Sequence, residues 1–371
     1  MSPASHLWPG VPLALLSAAL FGASTPFAKM LLGEGLTPFL LAGLLYLGSG
    51  IGLAIVEAAR RGSGARPAEA PLRRADLPWL ALVVLTGGVA GPALLMLGLA
   101  TTPAAAASLL LNLEGLATMT IAWLIFRENV DRRLLAGAAA ILAGAVVLSW
   151  RGGPESVGWG GFSWGMAAIA GACLAWGIDN NLTRRLSAAD PVQIAMTKGL
   201  AAGTVNLVLG VAAGAQFPSI TAAGGAALLG FAGYGVSLVL FVLALRHLGA
   251  ARSGAYFSTA PFLGAALAVA MLGEPVTAQL AAAGGLMAIG LYLHLVERHE
   301  HEHAHETLDH EHRHVHDEHH RHRHLPGDPG GAPHMHRHRH LPLVHKHPHY
   351  PDLHHRHAHS HSHGRGHAAA H

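Results

Sequence analysis

The sequence predicts an all-α membrane protein: ten transmembrane helices built as two inverted five-helix repeats, followed by a disordered C-terminal tail. Three observations carry this prediction. Residues 11–296 are almost continuously apolar, in a chain that is 51% hydrophobic and only 12% charged. The connectors that interrupt the apolar runs are short, and short motifs recur at an offset of 146 residues. Lipid leaves no backbone polar group unpaired, so runs of about 20 apolar residues without strand-like alternation read as helices and not as a barrel.

Ten segments reach the required length: roughly 12–32, 37–57, 78–99, 104–126, 134–150, 161–182, 192–213, 222–245, 253–273 and 277–296. The first is too long for a signal-peptide core and has no small-residue cut site after it, so it is expected to be retained. Lys and Arg in the connectors set the orientation. Arg60, Arg61, Arg66, Arg73, Arg74, Arg127, Arg132, Arg133, Arg184, Arg185, Arg246 and Arg252 all fall on one side, and only Arg151 lies in the connectors of the other. This bias predicts a bacterial-type inner (plasma) membrane protein with both termini in the cytoplasm. The lone cysteine, Cys173, falls inside an apolar run and reads as a small packing residue.

The repeat is visible in Arg127-Glu128-Asn129-Val130 and Gly273-Glu274-Pro275-Val276, each leading into an Ala/Gly/Leu-rich span. At the front of each half, Phe21-Gly22 matches Trp176-Gly177, and Lys29 falls near Arg184. Five spans is an odd number, so the second copy must be inverted. Inverted repeats let secondary transporters build two alternating gates around a site near the midplane. The expected division is 1–150, 151–297 and a tail at 298–371.

On these motifs, with Ser258-Thr259-Ala260-Pro261 ahead of the helix that ends at Glu274, residues 11–296 resemble the ten-span, EamA-type branch of the drug/metabolite transporter superfamily. Where a proline is usual, the fourth span has Leu111-Asn112-Leu113-Glu114-Gly115. The resemblance implies movement of a small metabolite, often export, coupled to protons or another gradient, along a path lined by spans 1, 3, 4, 6, 8 and 9. It implies no enzymatic activity and no required cofactor.

Glu114 is the leading site candidate. It lies mid-span, where an ionised residue costs about 2.5 kcal/mol or more. Low dielectric disfavours the charged form of a carboxyl, so such a group can take up and release a proton. It reads as a proton-coupling group or a contact for a cationic solute; the alternative is a protonated carboxyl bonded between helices. Asn112, two residues away, points to another face and reads as interhelical glue. Asp179 and Asn180 lie close to the Arg184 end of span 6, and Lys198 enters span 7 from the same side. An Asp179–Lys198 pair, structural tie or gate, would lower the cost of burying both. Lys29 can snorkel to the headgroups. Tyr234, Ser237, Ser258 and Thr259 can supply polar contacts, and His294 reads as interfacial. Glu128 and Glu274 read as anchors for connectors or as helix-start carboxylates.

The tail holds 27 of the 30 histidines, most of them spaced as His-x-His. Candidate metal ligands are His299, His301, His303, His305, His310, His312, His314, His316, His334, His336, His338, His340, His355, His357, His359, His361 and His363. A period of two cannot stay on one helix face, and six prolines between 326 and 351 oppose a long helix. Imidazole ligates zinc, nickel, cobalt and copper, and no fixed geometry selects among them. Competing readings are a low-complexity extension without a selected role and a polycation attracted to anionic lipid when protonated. Nucleic acid is disfavoured, since no aromatics interleave the charges. The expected partners are therefore a small-molecule solute, protons, the lipid bilayer and divalent metal. Two other functions remain open: a divalent-cation transporter supplied by the tail, and a non-transporting metal sensor.

Overall fold

The computed structural model describes residues 10–62, 72, 74–126, 132–150, 163–183, 186, 190–248, 253, 256–295, 300–305, 308–314, 334–340 and 343–348. Two units separate, Met1–Glu297 and Arg298–His371. In the first, the described residues form helices at all ten expected places. These are α1 (Gly10–Gly33), α2 (Pro38–Gly62), α3 (Leu77–Val83), α4 (Gly91–Thr101), α5 (Ala104–Leu110), α6 (Leu113–Phe126) and α7 (Arg132–Ser149) in the first half. The second half has α8 (Trp164–Thr183), α9 (Pro191–Ala212), α10 (Ile220–Gly230), α11 (Ser237–Leu248), α12 (Ala260–Leu272) and α13 (Ala278–Leu295). Span 3 is α3 and α4, span 4 is α5 and α6, and span 8 is α10 and α11; span 9 has helical residues before a turn at Ser258–Thr259 that leads into α12. By length and composition seven described stretches can cross a membrane alone, while spans 9 and 10 appear as shorter apolar helices. Span 6 is 20 residues long but carries Asp179, Asn180 and Asn181.

Large apolar side chains face outward along the helices, among them Ile55, Leu85, Leu124, Ile125, Leu142, Leu228 and Ile289. In water such a surface would drive association; in lipid it is the ordinary surface of a spanning bundle. The interior is packed with small residues. Spans 2 and 7 meet where Gly43 and Gly50 face Leu207 and Leu200, and where Gly199 and Gly203 face Gly50 and Leu47. Spans 5 and 10 meet at Gly137 and Gly290, each of whose Cβ positions lies within 3 Å of the other's carbonyl oxygen. Lacking a hydrophobic drive between helices in lipid, this close backbone approach supplies the van der Waals contact that holds them.

Gly273 ends α12 in a left-handed conformation (φ 65°), which only glycine adopts without strain, and this turn delivers Glu274 back to the bundle. Glu274 then accepts hydrogen bonds from the backbone N–H groups of Ala104 and Ala105. The anchoring role expected of it is realised on a different connector from its own. Arg127–Asp131, with Glu128, lies outside the described residues.

In the second unit, β1 (Glu300–His305) pairs antiparallel with β4 (Leu343–Pro348), and β2 (Leu308–His314) pairs antiparallel with β3 (His334–His340). The two-residue spacing of the histidines is thus met by extended backbone, whose side-chain period is also two. The registers set His301 opposite His347, His303 opposite His345, and His310, His312 and His314 opposite His338, His336 and His334. Of the metal-ligand candidates, His299, His316, His355, His357, His359, His361 and His363 lie outside the described residues.

Candidate transport site

Four spans are interrupted near their middles, two in each repeat and at matching positions. Span 3 carries a π-helical segment at Val84–Ala90 and span 8 another at Phe231–Val236. Span 4 breaks at Leu111–Asn112 and span 9 at Ser258–Thr259. The 146-residue offset carries Gly87 to Gly233, Asn112 to Ser258 and Glu114 to Ala260. At each break the chain tightens to three-residue hydrogen bonds. Asn112 N–H donates to Leu109 O at 3.1 Å and Glu114 N–H to Leu111 O at 3.0 Å; in span 9, Thr259 N–H donates to Tyr256 O at 3.2 Å. Side chains reinforce the turns, with Asn112 Nδ2 donating to Leu109 O (2.8 Å) and Thr259 Oγ1 to Tyr256 O (2.6 Å). Interrupted helices free backbone groups at membrane depth, and such groups survive only where the protein or a wet cavity satisfies them.

In span 3 the protein satisfies them. Tyr46 Oη from span 2 and Trp176 Nε1 from span 6 both donate to Gly87 O at 3.0 Å. Asn206 Nδ2 from span 7 donates to Gly88 O at 3.1 Å. The lack of a side chain at Gly87 leaves room for a charged pair. A Cβ on Gly87 would lie 2.1 Å from Asp179 Oδ2, and one on Gly88 would lie 2.6 Å from Ala202 Cβ and 3.3 Å from Lys198 Cγ. Lys198 Nζ is bonded to Asp179 Oδ2 across spans 6 and 7, with the two side chains 18% and 6% exposed. Thr183 Oγ1 reaches Asp179 Oδ1 at 3.4 Å.

Glu114 is the second residue of α6, two past the break in span 4. Its Oε1 accepts from Asn180 Nδ2 at 3.0 Å, and the same amide reaches Thr118 Oγ1 at 3.2 Å. Thr118 lies one turn beyond Glu114 and so shares its face. Asn181 Nδ2 ties α8 to α6 by donating to Thr118 O at 3.1 Å. Glu114 is half-buried and lies within electrostatic reach of both Asp179 and Lys198. A row of rings extends from here. Tyr46 and Tyr234 have centroids 5.5 Å apart, Tyr234 and Phe21 meet edge-on at 5.8 Å, and Phe21 lies 5.3 Å from Phe257.

The structure thus gathers Glu114, Asp179, Asn180, Lys198 and Tyr234 from spans 4, 6, 7 and 8. It adds Tyr46, Trp176, Thr118, Asn206, Gly87 and Gly88, which sequence reasoning passed over. The glycine pair inside an apolar span was the available signal for the last two. The remaining candidates lie elsewhere. Asn112 packs its amide against Met287 Sδ of span 10 at 3.9 Å, and Thr259 is spent on its own turn. Ser258 lies in the break beside it. His294 Nε2 lies 3.1 Å from Leu134 O, tying span 10 to span 5. Lys29 donates to Leu99 O at 2.7 Å and Ala100 O at 3.2 Å, at the end of span 3 away from the charged group. Among the described residues no group of three or more His, Cys, Asp or Glu side chains could hold a metal ion.

Comparison with known proteins places this geometry. The chain is similar to an uncharacterized transporter of Methanothermobacter thermautotrophicus, 27% identical over 304 residues that cover 78% of this chain and 86% of that protein. Its fold matches a protein of known crystal structure at a TM-score of 0.52 and 22% identity, covering 76% of this chain and 95% of the other. The EamA-like transporter family matches twice, over residues 8–150 and again over 163–296. With both halves matched, the chain belongs to the EamA-like transporter family: it is a multi-pass membrane transporter and not an enzyme.

Proposed function

We propose that the protein is a proton-coupled exporter of a small metabolite, working by alternating access in an inner membrane with both termini in the cytoplasm. One observation carries the reading. Of the two acids at the mid-bundle site, Asp179 is paired with a cation, whereas Glu114 is held by the neutral amide of Asn180. A carboxyl with a neutral partner can gain or lose a proton without stranding a buried opposite charge. It can also receive a positive group of the solute. Proton and solute then compete for one carboxylate, and exchange follows from their mutual exclusion. The interrupted spans 3, 4, 8 and 9 supply the places at which each repeat bends. The arginine-rich connectors support the orientation.

Purified protein in liposomes, tested for solute-driven proton movement, decides the matter. The substrate pool comes first from comparing extracellular metabolites of cells with and without the protein. Glu114→Gln is expected to abolish proton movement while leaving some solute exchange; proton movement at the wild-type rate would remove Glu114 from the mechanism. The tail is proposed to bind zinc, nickel, cobalt or copper outside the membrane as a buffer or sensor. Deleting 299–371 is expected to leave solute flux intact, and loss of flux would instead favour a divalent-cation substrate handed over by the tail.

A further inference from the structure

The tip of the span 3–span 4 hairpin is clamped from two directions by two opposite charges. α4 ends at Thr101 and α5 begins at Ala104 after Pro103. The end of one helix therefore presents free carbonyls beside the free N–H groups of the next. Lys29 of span 1 donates to the carbonyls of Leu99 and Ala100 at 2.7 and 3.2 Å. Glu274, from the connector between spans 9 and 10, accepts from the N–H groups of Ala104 and Ala105 at 2.6 and 2.7 Å. Each charge matches the sign of the helix end it meets. Each bond is charge-assisted, the stronger kind. The two clamping residues also feel one another's charge.

The clamp joins parts that alternating access must separate. Lys29 belongs to the first repeat and Glu274 to the second, and both grip the hairpin that carries Gly87, Gly88 and Glu114. Just beneath, the backbones of spans 1 and 9 are in contact: a Cβ on Gly22 would lie 2.3 Å from Ala260 O. Ser108 of α5 is buried against Gly264. This end of the bundle, the one poor in arginine, is shut.

From this geometry we infer that Glu274 and Lys29 are positioning residues for transport, a two-point latch that holds the arginine-poor end closed and must release before that end can open. The inference rests on the alternating-access reading, but it concerns which end is open and not what is carried.

The test uses full-length protein in membranes with Cys173→Ala and one reporter cysteine at a time, labelled by a membrane-impermeant thiol reagent without added solute. Ser108→Cys reports the arginine-poor half and Val83→Cys, buried in α3, the arginine-rich half. Glu274→Gln and Lys29→Met are each expected to raise labelling at position 108 by about tenfold and to lower it at position 83, because opening one end closes the other. Unchanged labelling at 108 in both variants overturns the latch. So does a rise at 108 without a fall at 83, which marks local fraying, and so does a rise at both, which marks a loosened bundle. The readout needs no flux, so failure of the latch leaves proton coupling standing, and loss of proton coupling leaves the latch standing.

Discussion

Two carboxylates stand within reach of one another near the middle of the bundle and are satisfied in different ways. Asp179 is the paired member. Its partner Lys198 is mostly buried, and the pair fits because Gly87 has no side chain. Removing one member of a buried pair strands the other, at a cost of about 3–5 kcal/mol, whereas replacing both by apolar groups of similar size restores much of the loss. Asp179→Asn is therefore expected to lower the melting temperature of the detergent-solubilised protein strongly, and Asp179→Leu with Lys198→Met to recover most of it. Equal melting temperatures for the single and double variants would show that the pair does not govern stability. The pairing was legible in the sequence, since Asp179 and Lys198 enter neighbouring spans from the same side. Asn180 as the partner of Glu114 was not, because nothing in the spacing of spans 4 and 6 fixes their rotation. Trp176 and Tyr46 were invisible for a related reason. An aromatic in an apolar run reads as packing until a free carbonyl is found at its polar edge.

Helices here are specified by hydropathy, and hydropathy says little about where a helix is interrupted. The ten spans could be read directly because lipid enforces their length and apolarity. The π-helical segments and the mid-span breaks could not. The segment in span 3 is met by donors that arrive from other helices, Tyr46, Trp176 and Asn206, and nothing local marks them. Gly87→Ala is expected to cut flux at least about tenfold by driving a methyl group into the Asp179 carboxylate; wild-type flux would deny the segment its seat beneath the ion pair. Helix contacts yield a sharper comparison within one element. A Cβ on Gly230 would lie 1.9 Å from Leu45 O, while one on Gly224, in the same helix, meets nothing within 4 Å. Gly230→Ala should destabilise by about 1–3 kcal/mol through overpacking. Gly224→Ala should be neutral or stabilise by up to about 1 kcal/mol through helix propensity. Thermal unfolding of the two variants side by side checks the contrast, and similar melting temperatures would refute it.

At the scale of the whole molecule, the histidines of the second unit are expected to make its metal binding depend on pH. Neutral imidazole binds metal and imidazolium does not, so proton uptake competes with metal. Metal titrations of the full chain are expected to give tight, multi-site binding above about pH 7, weakening steeply below about pH 6 as the histidines protonate. The chain ending at residue 297 should bind little at either pH, and comparable uptake by the truncated chain would move the metal sites out of the tail. The two-residue spacing of the tail's histidines suited an extended or disordered chain, but the partners of its strands lie up to 48 residues apart and leave no local mark.

Duplication ordinarily gives a protein two of everything, yet each acid of the mid-bundle site occurs in one copy alone. The counterpart of Glu114 under the repeat is Ala260, and that of Asp179, through the match of Phe21-Gly22 with Trp176-Gly177, is Ser24. On the proposed mechanism Glu114 alone would serve the exchange, which would set its stoichiometry at one hydrogen ion per turnover. If the departing solute is a monovalent cation, no net current flows. The pump would then run on the pH difference alone and ignore membrane voltage.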